Sequence, residues 1–192
     1  AVDNVSLDLV RDTIHAVIRG IGLSNDGRGK GLLVPDEAGQ QRAMRAAYAQ
    51  ADIDPAQVSL LECHATGTTV GDGAELRSSA AVFAGACELP IGSLKSNLGH
   101  LITVAGAAGL IKIIEAMRHG VRPPNRRVDA PTAALDGTPF RLLQQAEAWP
   151  DDMPKIAAIS AFGFGGNNAH LILSAPESPP RVPRSGSPAL SA

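Results

Sequence analysis

ECHATGTTVGDGAE, residues 62–75, sets His64, a cluster of threonines and three glycines between two acidic side chains. The apolar run VSLL just before it reads as a short strand from Val58 to Cys63, and GAELRSSAAVFAG after it reads as a helix. His64 therefore stands where a strand gives way to a glycine-containing turn. Strand, polar turn and helix in succession indicate an α/β protein, and open α/β sheets gather their chemistry at strand ends.

Working outward, TIHAVIRGIGL alternates and is β-branched, which predicts a strand from Thr13 to Leu23, closed by the turn residues SNDGRGKG. After Pro35, Ala43, Met44, Ala47, Tyr48 and Ala51 fall at helical spacing. Asp54 caps a turn that begins at Pro55. LPIGSLKSN is a second buried strand. TVAGAAGLIKIIEAMRHG is a long helix ended by Gly120, with Arg118 and His119 in its last turn. Its small first turns predict a closely packed backbone and an interior position. Residues 121–150 show no period and read as a long surface connection. IAAIS and AHLILSA are two strands joined by the tight FGFGG turn. Beyond Ala175 the chain is nearly all Pro, Ser and small residues, so residues 1–175 form the folded unit and 176–192 a linker cut from a longer polypeptide.

The bulk numbers restrict function. A chain of 192 residues, 44% hydrophobic with net charge −2, can bury a core, but its six aromatic residues and lack of basic excess exclude a nucleic-acid surface. Cys63 and Cys87 have neither zinc nor disulfide spacing, so a reducing cytoplasm is the expected compartment. The apolar run from Leu101 stops at Lys112, too short for a bilayer, and no membrane role is expected. SNDGRGKG lacks the first Gly and the Ser or Thr of a phosphate loop. No recognised metal-ligand spacing is present, and no metal is expected.

Two further segments resemble the opening one in character: KSNLGH (95–100) and AFGFGGNNAH (161–170) also follow apolar strands and place polar groups on glycine turns. Singly, each has a plain alternative. His64 and His100 fit structural histidines as well as catalytic ones, Thr66 and Thr68 fit loop hydroxyls, and Glu75 fits a first-turn residue favoured by the helix dipole. Lys95 fits a solvated charge, and Phe162 and Phe164 fit core residues. His15 and His119 suit the surface, and His170 suits a structural role on its strand. Arg118, Arg122, Arg126 and Arg127 suit either solvated charges or a docking face for an acidic carrier protein.

Taken together, the three segments resemble the C-terminal half of a β-ketoacyl synthase, the ketosynthase domain of polyketide synthases. ECHATGTTVGDGAE is similar to that family's E-A-H-G-T-G-T-x-x-G-D-x-x-E, KSNLGH to its K-[ST]-N-x-G-H, and FGFGGNNAH to its F-G-F-G-G-[ST]-N-A-H. AVIRGIGLSNDGRGKGLLVP and AMRHGVRPPN add supporting matches, and the resemblance covers residues 10–175.

The resemblance implies a thiolase-like α/β fold with alternating α-β-α-β-α layers, of which this chain is the second half. It implies decarboxylative Claisen condensation of an acyl thioester with a malonyl-type extender, in polyketide or related lipid biosynthesis. The extender rides on the phosphopantetheine of an acyl carrier protein, with no covalently bound cofactor in the chain itself. His64 and His100 would stabilise the enolate, Lys95 would pair with Glu75, and Thr66 and Thr68 would bind the pantetheine amides. Phe162, Gly163, Phe164, Gly165 and Asn168 would form the acyl gate and oxyanion hole. The family's T-A-C-[SG]-[SG] nucleophile motif is absent, so the expected partners are an N-terminal ketosynthase half, a second copy of the full domain and the carrier protein. The isolated chain is expected to be inactive. A non-condensing homologue serving as decarboxylase, chain-length subunit or scaffold is the second reading.

Overall fold

The computed structural model describes residues 14–27, 31 and 34–176. Thr13, much of the SNDGRGKG loop's second half and residues 177–192 of the expected linker lie outside the described residues. The first strand, β1 (Val17–Asn25), is followed by helix α1 (Glu37–Ala51), whose Asp36 accepts a hydrogen bond from the Gly39 amide. Asp54 and Pro55 open a single 3-10 turn with a complete capping box, as their order predicts. Strand β2 (Leu60–Glu62) and helix α2 (Thr69–Val82) come next. Strand β3 (Leu89–Gly92) leads into the one-turn helix α3 (Lys95–Leu98) and then α4 (Ala105–His119). Gly120 ends α4 in the left-handed conformation at φ 60°.

Residues 121–150 are not a bare surface connection. They carry β4 (Val121–Arg122), β5 (Phe140–Leu142) and β6 (Glu147–Ala148), and they bury Phe140, Leu143 and Trp149. These strands are two or three residues long, too short for any periodicity to show. The chain closes with the hairpin β7 (Ile156–Gly163) and β8 (Asn167–Ser174).

Six strands form one mixed sheet in the order β1-β8-β7-β2-β3-β5, with β7, β2, β3 and β5 running parallel and β8 antiparallel to both of its neighbours. Period-two alternation divides the core. Leu61, Ile91, Ala158 and Ile172 point to the face covered by α1 and α2, against Met44, Ala47, Tyr48 and Phe83. Leu60, Ala157, Ile159 and Leu173 point to the other face, against Ile113, Ala116 and Met117 of α4 and Trp149. Among the described residues the six-stranded sheet thus carries a helical layer on each side, and β4 pairs with β6 in a separate two-stranded antiparallel sheet.

Helix α1 lies directly on β1. A Cβ on Gly22 would collide with the Ala43 carbonyl oxygen, so only glycine permits this approach. By contrast α4 is half covered rather than interior. It buries Gly109, Ile113, Ala116 and Met117, while Ile111 is exposed and borders an apolar groove with Leu98 and Val121. Its glycines face side chains rather than backbone: the nearest atom to a Cβ on Gly106 would be the Ala161 Cβ, and on Gly109 the Glu62 Cγ.

Candidate active site

Strands β7, β2 and β3 are parallel neighbours, so their C-terminal ends lie side by side at one edge of the sheet. The three glycine-containing segments all leave from that edge. Adjacent strands are about 4.8 Å apart, which brings residues far apart in sequence within one side-chain length. The His64 and His100 rings stand edge to face with centroids 5.7 Å apart. The Phe162 ring lies 6.0 Å from His64.

His64 is partly buried, and burial, then Lys95 and His100, hold its pKa down at about 4. The ring is neutral at pH 7, and its Nδ1 is buried with no hydrogen-bond partner. His100 is exposed, and its Nδ1 accepts from the Ile102 amide at 3.2 Å. A neutral His100 bonded in this way carries its proton on Nε2, leaving an N–H donor free.

Glu75 lies in the second turn of α2, because the helix begins at Thr69 and takes in the end of the opening motif. Its two carboxylate oxygens accept from the His64 and Ala65 amides, each at 2.7 Å. The bidentate grip fixes the turn at Ala65, which has φ 31°. Burial pushes Glu75 up to about 7, with the two amides pulling the other way. Asp72, also raised by burial, accepts from the Gly67 amide at 3.2 Å and closes the same loop.

Lys95 makes no ion pair with Glu75 in this structure, unlike the pairing the resemblance implies; the two Glu75 oxygens accept backbone amides, and Glu75 acts on Lys95 only at a distance. Burial lowers the Lys95 pKa, opposed first by Glu62 and then by Glu75. Glu62 is itself buried, and forms an ion pair with Lys112 at 2.6 Å. Neither residue stood out in the sequence. The available signal was a lone charge inside each of two apolar runs, SLLE and LIKII.

Thr66 and Thr68 are on the exposed side of the loop with hydroxyls 3.3 Å apart, and Thr68 also caps α2 by accepting from the Gly71 amide. A cleft of about 560 Å³ beside them is lined by Thr66, Asp72, Glu75, Ser93, Lys95 and Arg127. Phe164 stands exposed at the tip of the β7–β8 turn, followed by Gly165 and Gly166 at φ 80° and 74°. Gly163 ends β7 beneath it.

Asn168 is not brought to this site. It is buried, and its amide donates to Asp26 at 2.5 Å and to Gly166 O at 3.2 Å, bracing the turn from the α1 side. His170 is structural, as its strand position predicts: its ring nitrogens lie 3.1 Å from Ser160 Oγ and 3.3 Å from Tyr48 Oη, and burial lowers its pKa to about 3. The Cys63 thiol is pushed well up by burial and by Glu75 and Glu62, which leaves it a thiol. Arg122 is committed to Glu147 and to the Ala148 carbonyl, and Arg118 pairs with Glu115, while Arg126 and Arg127 are exposed. Among the described residues no group of three or more His, Cys, Asp or Glu is placed to hold a metal ion, and no helix is long and apolar enough to cross a membrane.

The family model of the β-ketoacyl synthase C-terminal domain matches residues 15–129 of the 192. The chain belongs to the β-ketoacyl synthase family. The model of the ketoacyl-synthetase C-terminal extension matches residues 124–191. The chain is 44% identical over 178 residues to polyketide synthase GfsA of Streptomyces halstedii, covering 89% of the chain and 2% of that protein. It is also 44% identical over 185 residues to one component of the polyunsaturated fatty acid synthase of Thraustochytrium, covering 88% of the chain and 7% of that protein. The oxazolomycin ketosynthase domain OzmH KS7 of Streptomyces albus superposes with a TM-score of 0.84 at 36% identity, over 90% of this chain and 32% of that one. The fold is therefore the C-terminal part of the thiolase-like ketosynthase fold. The chain spans only a small part of the curated relatives and about a third of this solved ketosynthase.

Proposed function

We propose that this chain forms the histidine-bearing half of a ketosynthase active site, for decarboxylative condensation of an acyl thioester with a malonyl-type thioester. The observation that carries the reading is the pair of imidazoles converging at 5.7 Å from two adjacent parallel strands. When the malonyl carbon–carbon bond breaks, carbon dioxide departs and the electron pair passes into an enolate. Two N–H donors aimed at one oxygen stabilise that charge more in the transition state than in the ground state. The low pKa of His64 keeps it a neutral donor, and the nearby Lys95 adds positive potential. The enolate carbon then attacks the acyl carbonyl to form a carbon–carbon bond, and the cysteine thiolate that had carried the acyl group leaves with the electrons of the broken carbon–sulfur bond.

In this reading the nucleophilic cysteine comes from an N-terminal half, and the full domain works as a homodimer. The extender arrives on the phosphopantetheine arm of an acyl carrier protein. Thr66 and Thr68 suit the amides of that arm: the Thr68 oxygen accepts from Gly71 yet keeps its own proton to donate. Phe164 on its glycine turn gates the acyl pocket, and Phe162 walls it beside His64.

The test is His100→Ala in the complete domain. Carbon dioxide release from malonyl-carrier should fall about 100- to 1,000-fold while the nucleophile still takes up an acyl group. Unchanged carbon dioxide release would remove the proposed role.

A further inference from the structure

The buried pair formed by Glu62, two residues before His64, and Lys112 lies outside every role assigned above. Glu62 ends β2 and turns its carboxylate toward α4. There Oε2 meets Lys112 Nζ at 2.6 Å, with the two side chains only 5% and 11% exposed. Oε1 accepts the Leu94 amide at 2.6 Å. Leu94 immediately precedes α3, the single turn that carries Lys95 and runs through Gly99 to His100.

Helix α4 is shaped to receive this carboxylate. A Cβ on Gly109 would stand 3.1 Å from Glu62 Cγ and 3.5 Å from Oε1, so glycine leaves the space that the carboxylate occupies. Lys112 follows one helical turn later, on the same face. A buried ion pair of this kind is weak support for stability alone, because desolvating both charges offsets most of their attraction. Its geometry ties three elements together at the one point where the Lys95–His100 turn begins.

We infer that Glu62, held by Lys112, is a positioning residue for decarboxylation, fixing the Lys95–His100 turn against the His64 strand through the Leu94 amide. This rests on the ketosynthase reading. It does not require Glu62 to touch substrate. The groups facing Lys95 are Glu62 and Cys63 at the end of β2, Glu75 and Asp72 on α2, and His64 in the loop between them. Of the anions, Glu62 acts on Lys95 most strongly, so removing its charge weakens Lys95's hold on its proton.

The experiment compares Glu62→Gln, Lys112→Met, the double variant and His100→Ala in the complete domain, with acyl uptake by the nucleophile and carbon dioxide release from malonyl-carrier measured separately. Glu62→Gln should slow carbon dioxide release about 10- to 100-fold while changing acyl uptake by less than about twofold. The alkaline limb of its pH profile should move to lower pH. The double variant has no unpaired buried charge, so it should recover the thermal stability lost in either single variant, yet keep the slow carbon dioxide release and the shifted limb. Two results overturn the inference: carbon dioxide release at the wild-type rate in the double variant, or a parallel loss of both half-reactions in Glu62→Gln that the double variant restores. If His100→Ala also leaves carbon dioxide release intact, the ketosynthase reading fails and takes this inference with it. If His100→Ala abolishes release while Glu62→Gln does not, only the role of Glu62 is lost.

Discussion

Replacing Glu75 with Gln should double the steepness with which the protein loses stability in mild acid. Between pH 4.5 and 6.5 three buried groups hold their protons differently in the folded and unfolded chains. His64 and His170 have folded pKa values of about 4 and 3, below the ordinary 6.5. The unfolded chain therefore binds their protons first, and the stability they contribute is lost as pH falls below 6.5. Glu75 works in the opposite sense. Its folded pKa of about 7 lies above the ordinary 4.5, so the folded state binds its proton first and gains stability as pH falls from 7 to 4.5.

Each such group contributes a slope of about 1.4 kcal/mol per pH unit inside its window. Two losses against one gain leave the wild type falling by about 1.4 kcal/mol per unit, or about 3 kcal/mol from pH 6.5 to 4.5. Glu75→Gln removes the gain, leaving a fall of about 5 to 6 kcal/mol over the same range, comparable to the whole stability of a small domain. At pH 8 the variant should differ far less. It loses a charge-assisted bond to the His64 or Ala65 amide, at a cost of about 2 kcal/mol, but escapes the cost of burying a charge. Glu147, whose pKa is lowered by Arg141, changes the slope only below its ordinary value of 4.5. The assay is urea unfolding at half-unit steps from pH 4.5 to 8. Parallel stability curves for the two proteins would refute the reasoning, because they would mean Glu75 titrates alike in the folded and unfolded chains.

Two further substitutions test the packing. Gly22→Ala drives a methyl group into the Ala43 carbonyl and should destabilise by about 3 kcal/mol or more, whereas Gly106→Ala meets only the Ala161 Cβ at 3.8 Å and should gain about 0.5 to 1 kcal/mol from helix propensity; thermal unfolding of the pair should show shifts of opposite sign. Asn125→Ala strips partners from the Ser93 amide and from the Ile91 and Leu143 carbonyls, all buried, and should cost about 3 kcal/mol or more in urea unfolding; Asn125→Asp should fail to restore it, because a carboxylate cannot donate to the two carbonyls.

The part of the site carried by strand, turn and helix in immediate succession was legible in the sequence. VSLLECH has the alternation and length of a strand, and the glycines and threonines after it can only be a turn, so His64 is placed by local signals alone. The convergence of His64 with His100 required more, namely that β2 and β3 be parallel neighbours, and this followed from the motif set rather than from any periodicity. Residues 121–150 defeated the reading for a physical reason. Asn125 does there with one side chain what a longer strand does with backbone, bonding β3 to the segment around Leu143, and a single buried amide leaves no repeating pattern. Asn168 was misplaced because a motif position does not say on which face of the sheet a side chain falls, and β8 turns this one toward Asp26.

Glu62 and Lys112 show what kind of information a lone charge carries. Each interrupts an apolar run, and a charge buried without a partner costs several kcal/mol, so each residue announces that a counter-charge must exist. Neither announces which one. The two are 50 residues apart, and only the stacking of α4 on the β2–β7 face brings them together. The pairing of Lys95 with Glu75 implied by resemblance is not formed in this structure: the Glu75 oxygens accept the His64 and Ala65 amides, and Lys95 feels Glu75 only at a distance. Lys95 is thereby left with a diffuse negative surround instead of a single contact. An ammonium tied to one carboxylate would have most of its field cancelled at the histidines, whereas one balanced at a distance still presents positive potential where the enolate charge would form.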